Sequence, residues 1–155
     1  MAEPIRKKRT WLKRLLITTL LLVILMAVVY WIVATDKFSD TRKREAAFTV
    51  SAIDFIHEFE KDIAAANTKY TEKIITVNGR ISDLEAPDTS TVNIKFVNPA
   101  SGSFAIFAFQ DQHLAEGKAL KIGDSVSIKG SCSGGIYSQV LELTKIDFKR
   151  AAINK

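Results

Sequence analysis

The spacing of apolar and polar positions changes twice along the chain, and each change marks a new kind of element. Residues 15–34, LLITTLLLVILMAVVYWIVA, hold no charge, proline or glycine. A soluble helix of that length alternates apolar and polar faces, whereas this run is apolar all round. At about 1.5 Å per residue it rises about 30 Å, the hydrocarbon thickness of a bilayer. The run therefore predicts a membrane-crossing helix. Trp11 before it and Tyr30 and Trp31 near its far end suit the two aromatic interfacial belts.

A helical period follows. Ser51 is placed to cap a helix, and Asp54 lies in its first turn, where the dipole favours an acid. Apolar residues recur at Ala52, Phe55, Ile56, Phe59, Ile63, Ala66 and Tyr70, one face of a helix over 51–70. His57, Glu58, Glu60, Lys61 and Asp62 fall on the other face, so His57 reads as a surface residue.

From Lys73 the period becomes two, predicting five strands. Ile75, Val77, Gly79 and Ile81 form one alternation, and Val92, Ile94 and Phe96 a second. The third, FAIFAF over 104–109, is apolar on both faces. Val126 and Ile128 begin the fourth, and 139–148 supply the fifth. Turns are expected at 85–88, 98–102 and 133–135, and a loop or helical turn over 111–120. That order predicts a mainly-β domain, a five-stranded Greek-key barrel of the OB type with a flanking N-terminal helix. The expected organisation is a basic tail over 1–14, the transmembrane helix over 15–34, a juxtamembrane linker over 35–50, the helix and barrel over 51–148, and a tail over 149–155.

Lys69-Tyr70, Lys73 and Val77-Asn78-Gly79, then Lys121-Ile122-Gly123-Asp124-Ser125-Val126 and Lys129-Gly130-Ser131-Cys132-Ser133-Gly134, resemble the bacterial tRNA anti-like OB-fold family. So does a helix leading directly into the first strand. The resemblance spans about 51–148 and implies an OB fold; the family is named for its likeness to anticodon-binding domains.

Charge sharpens the picture once it is located. The net +5 divides unevenly: residues 1–14 hold six of the 22 basic residues and one of the 17 acids, which leaves sixteen of each for the rest. The basic excess is a membrane flank, and the domain is electrically neutral. Six basic residues before the run against Lys37, Arg42, Lys43 and Arg44 after it predict a single-pass inner-membrane protein, N-terminus cytoplasmic and C-terminal domain periplasmic. The run exceeds the 7–15 apolar residues of a signal peptide, and Val-Tyr-Trp-Ile-Val-Ala is a poor cleavage site, so an uncleaved signal anchor is expected. Arg42-Lys43-Arg44 could touch lipid headgroups, but reads more simply as a solvated run of charges.

The chemistry is sparse. Two histidines, His57 and His113, and one cysteine, Cys132, do not make a dense metal site, and no cofactor is expected. Gly130-Ser131-Cys132-Ser133-Gly134 has the spacing of a nucleophile elbow, but that motif needs a strand, a sharp turn and then a helix, and strand residues follow here. No acid, base and nucleophile set can be assembled, so no enzyme is expected. Two readings remain. One is a non-enzymatic binding or scaffold module of the bacterial envelope, held by membrane lipid and contacting an envelope protein or glycan. The other is a single-stranded nucleic-acid binder, for which Phe96, Phe104, Phe107 and Phe109 are the aromatics in the second and third strands. In either case Lys95, Phe107, Tyr137 and Gln139 are the expected ligand-binding residues.

Overall fold

The computed structural model describes residues 5–35 and 40–155 and, within the first stretch, the side chains of 11–32. It divides into two compact units, Met1–Ser39 and Asp40–Lys155. In the first, α1 runs from Ile5 to Thr35, and Trp11–Ile32 within it is long and apolar enough to cross a membrane. The threonines inside the apolar run satisfy their hydroxyls locally. Thr18 Oγ1 donates to the Leu15 carbonyl at 2.9 Å, and Thr19 Oγ1 donates to the same carbonyl at 2.5 Å. Each hydroxyl thus bonds a carbonyl of its own helix.

The second unit is mainly β. Its elements are β1 (Phe48–Ser51), α2 (Ala52–Lys61), α3 (Ile63–Tyr70), β2 (Ile74–Arg80), β3 (Asp83–Glu85), β4 (Asn93–Val97), β5 (Phe104–Phe109), α4 (Leu114–Ala119), β6 (Ser125–Ser138) and β7 (Leu143–Ile153). The strands form one seven-stranded sheet in the order β1-β2-β6-β7-β5-β4-β3. The β1–β2 and β5–β7 pairs are parallel and the others antiparallel. The two extra strands have simple origins. Phe48 and Val50 alternate with Thr49 and with Ser51, the helix cap itself, enough for a four-residue edge strand. The first expected strand is divided at Ile81 and Ser82. Ile81 N–H still bonds the Asp124 carbonyl beside β6, at 2.9 Å, while Ser82 N–H turns to the Lys95 carbonyl of β4, at 2.9 Å. Residues 74–85 thus pair with β6 through their first half and with β4 through their second.

Six of the seven residues of the predicted helix face are buried, Ile63 is half-buried, and the helix is broken. Asp62 is extended (φ −156°, ψ 95°) and closes α2 while its carboxylate accepts from Ala65 N–H at 2.9 Å to open α3. An aspartate that can capture a downstream N–H competes with helix continuation. The other correction lies in β6. Ser133-Gly134-Gly135 does not turn the chain; the strand continues through a bulge, with Gly134 at φ +104°, and the turn falls at 139–142. A glycine in the left-handed region bends a strand without ending its pairing. As a result β7 starts at Leu143 and reaches Ile153, past the expected end at 148.

Residues from Asp40 onward in the stretch read as a linker are built into the domain; 36–39 lie outside the described residues. Thr41 is buried, Arg42 Nε donates to the Ile153 carbonyl at 3.1 Å, and Arg42 also pairs with Glu116. Lys129 Nζ donates to the carbonyls of Arg42 and Arg44. The core lies between the helices and the inner sheet face. Rings run in contact from Phe48 through Tyr70, Phe55, Phe148 and Phe107 to Phe96, with centroids 4.4–5.5 Å apart.

Gly79 sits where α2 begins, and a Cβ there would lie 2.7 Å from Ala52 Cβ and 3.1 Å from the Phe96 ring. Gly79→Val therefore overpacks the junction of helix and sheet. In urea unfolding of residues 40–155 it should cost about 1–3 kcal/mol or more. Unchanged stability would mean that α2 does not pack on β2 as described.

Candidate functional site

Strand alternation sorts the aromatic residues. On β5, Ala105, Phe107 and Phe109 point into the core, while Phe104, Ile106 and Ala108 face outward. On β4, Ile94 and Phe96 point in, and Asn93, Lys95 and Val97 face out. The outer face across β4, β5 and β7 therefore carries two rows, Val97–Phe104–Lys145 and Lys95–Ile106–Asp147.

Its cation is already matched. Lys95 Nζ lies 3.1 Å from Asp83 Oδ2, also bonds Glu85, and stands 5.6 Å from the centre of the Phe104 ring. The hydrogen bond to Glu85, with Asp83 behind it, raises the lysine's pKa against the cost of burial. Lys145 is likewise paired with Asp147 at 3.0 Å. This face offers an apolar centre with neutralised charge around it and no run of unpaired cations.

A groove of about 630 Å³ opens beside it, between the start of α2, the end of β2 and the end of β4. Ala52, Gly79, Phe96 and Val97 give it an apolar floor, and Asn78, Arg80 and Ser82 line it with polar groups. Arg80 Nε is committed to the Gly123 carbonyl at 2.7 Å. A few polar groups over an apolar floor are the usual make-up of a small-ligand site.

Of the residues expected to bind, Lys95 is on the outer face within its acidic pair. Phe107 is 0% exposed, stacked on Phe148 with centroids 4.4 Å apart, and presents no surface. The outward aromatic of that strand is its neighbour in alternation, Phe104. Tyr137 is exposed near the end of β6, and Gln139 follows in the turn, on the hairpin that joins β6 to β7. The four do not form one site. The groove residues Asn78, Arg80 and Ser82 were missed. They sit on the strand expected from alternation, but nothing local shows that α2 and β4 wall it in.

Among the described residues Cys132, His57 and His113 lie in three separate places. Cys132 lies inside β6, fully buried, and burial pushes its thiol up to about 11. It is a core side chain, and the strand–turn–helix of an elbow is absent from residues 130–138. His57 is exposed, 3.3 Å from Glu60. His113 is buried, with Nε2 2.7 Å from Asp40 Oδ1 and Nδ1 3.3 Å from Arg42. An arginine can only donate, so Nδ1 accepts from Arg42 and Nε2 donates a hydrogen bond to Asp40. Among the described residues no three His, Cys, Asp or Glu side chains are grouped as a metal site would need.

An apolar helix ahead of a mainly-β domain built on one seven-stranded sheet is the class these features define. The sequence pattern of the tRNA_anti-like family matches residues 1–144, and the chain belongs to that family. No curated protein matches it. Among solved structures it is similar to a Klebsiella pneumoniae protein described as a "putative nucleic acid-binding lipoprotein". The two share 18% identity and a TM-score of 0.52 over 68% of this chain and 91% of that one. A second similarity is to the asparaginyl-tRNA synthetase of Entamoeba histolytica, at 10% identity and a TM-score of 0.36, over 53% of this chain. The chain spans 20% of that enzyme's length.

Hydrogen bonding to His113, working against burial and aided by the Arg42 N–H, holds the Asp40 carboxyl below its ordinary value of 3.8. A carboxylate depressed in the folded state stabilises fully above its unfolded pKa and loses that contribution as pH falls through the folded one. In urea unfolding of residues 40–155, Asp40→Asn should be clearly less stable than wild type at about pH 6, with the gap closing towards about pH 3. A gap independent of pH would show that ionisation of Asp40 plays no part.

Proposed function

We propose that the protein is a membrane-anchored, non-enzymatic binding module of the bacterial envelope, with a cytoplasmic N-terminus, α1 in the inner membrane and the β domain in the periplasm. In this reading the domain is a five-stranded OB-type barrel. Residues 74–85 form its first, bent strand, β4 to β7 supply the other four, and β1 is an added edge. The hydrogen bonds of Ile81 and Ser82 to opposite neighbours support that closure.

One observation carries the functional reading: Lys95, central on the outward face, is held by two carboxylates. Nucleic-acid affinity draws heavily on unpaired cations that release counterions from phosphates. The sheet face and the Arg80 groove instead suit a protein or glycan surface that combines apolar contact with single hydrogen bonds. The competing reading, a single-stranded nucleic-acid binder, is favoured by the description of the Klebsiella neighbour. The outward Phe104 would be its stacking platform.

Titration of residues 40–155 with single-stranded DNA and RNA at low and moderate salt separates the two. A binding module of the proposed kind shows no binding. Micromolar binding that weakens steeply with salt overturns it. Topology has its own check. A reporter active only after export, fused behind Lys155, should be active, and activity confined to a cytoplasmic reporter would reverse the orientation.

A further inference from the structure

Outside α1, the described residues expose six large hydrophobic side chains: Ile53, Ile122, Ile136, Tyr137, Val140 and Leu141. Four of the six lie within six residues of one another, at the β6–β7 hairpin. Ile136 is 62% exposed, Val140 92% and Leu141 58%. Scattered apolar residues are normal on a surface, but such a concentration marks an interaction site.

The patch continues into a cleft of about 260 Å³ lined by Glu60, Ile63, Tyr137, Glu142 and Leu143, together with serines and a threonine. The lining holds two acids and no base. Burial opposes the charge on Glu60, but hydrogen bonds from Ser101, Ser103, His57 and Asn98 outweigh it and hold the carboxyl below its ordinary value. Ser101, Ser103 and Asn98 are neutral donors, so they stabilise the carboxylate without cancelling its charge. The cleft is anionic beside an apolar rim.

The hairpin is also set apart from the segment that leads into the domain. β7 is eleven residues long, and its far end, Ile153, is where Arg42 is fastened. The patch occupies the opposite end of that strand.

We infer that the β6–β7 hairpin docks a protein segment presenting a basic side chain flanked by aliphatic ones, the base entering the Glu60–Glu142 cleft and the aliphatic groups covering Val140 and Leu141. The inference rests on the binding-module reading above and narrows it to a protein partner. Charge selects the occupant. Two carboxylates repel the phosphates of nucleic acid and of anionic lipid, and attract lysine or arginine.

The test uses the full chain in phosphatidylcholine nanodiscs and a fluorescent amidated peptide, Leu-Arg-Leu-Arg-Leu, read by polarisation against empty nanodiscs. The peptide should bind the protein, and its acidic counterpart, Leu-Glu-Leu-Glu-Leu, should not. Leu141→Ser and Glu142→Lys, both at exposed positions, should each weaken binding about tenfold. Ile122→Ser, at an exposed position in the turn before β6 and so at the other end of that strand from the hairpin, should leave it unchanged, and circular dichroism should match wild type in all three. Equal binding by all variants, or none above empty nanodiscs, overturns the inference. So does rapid disulfide dimerisation of Val140→Cys, which would make a second copy the occupant. The nucleic-acid titration keeps the two readings separable. Peptide failure without nucleic-acid binding overturns the hairpin alone, whereas nucleic-acid binding overturns the module reading itself.

Discussion

The contact between Phe55 of α2 and Phe148 of β7, centroids 5.5 Å apart, joins the helical layer to the sheet, and the rest of the domain is arranged around it. On the helix side Phe55 touches Phe59 and Tyr70, and Tyr70 carries the chain of rings to Phe48 on β1. On the sheet side Phe148 stacks on Phe107, which meets Phe96. Aromatic pairs add about 0.5–1.5 kcal/mol each beyond the area they bury, and these rings are shared between neighbours, so the set acts as one body. The backbone opposite it has been cleared. A Cβ at Gly130 would stand 3.2 Å from the Phe148 ring, and one at Gly135 would stand 2.5 Å from the Phe59 ring.

That arrangement explains which parts of the fold were legible in the sequence. The face Ala52, Phe55, Ile56, Phe59, Ala66 and Tyr70 is set by local spacing, and all six are buried. The apolar run of α1 was equally plain, because length and composition alone define it. Gly134 and Gly135 misled, since a glycine pair signals a turn unless one knows that Phe59 and Asn67 need the room. Asn67 uses its side-chain amide as a piece of backbone, accepting from Gly135 N–H at 2.8 Å and donating to its carbonyl at 2.9 Å. No periodicity reports a contact 68 residues apart.

The candidate surfaces were harder to read for a related reason. FAIFAF has no polar residue to say which side faces water, so the choice between Phe104 and Phe107 depended on strand register. Lys95 is a free cation in the sequence and a neutralised one in the fold, because Asp83 and Glu85 come alongside only when β3 pairs with β4. The neutral total charge of the domain pointed the same way, since cations without excess tend to be spoken for. The exposed hairpin was partly legible through Tyr137 and Gln139, although the turn itself was placed six residues too early.

The fastening of residues 40–44 gives the domain a mechanical property. β1 is a four-residue edge strand parallel to β2, and a pull on its leading end would open it rung by rung. Asp40 on His113, Arg42 on Glu116 and on the Ile153 carbonyl, and Lys129 on the Arg42 and Arg44 carbonyls all stand ahead of that strand in the chain. They spread over the turn at 111–113 before α4, α4 itself, β6 and β7. Tension arriving through residue 40 is therefore shared among several anchoring points before β1 feels it, as strain relief on a cable spares the solder joint behind it.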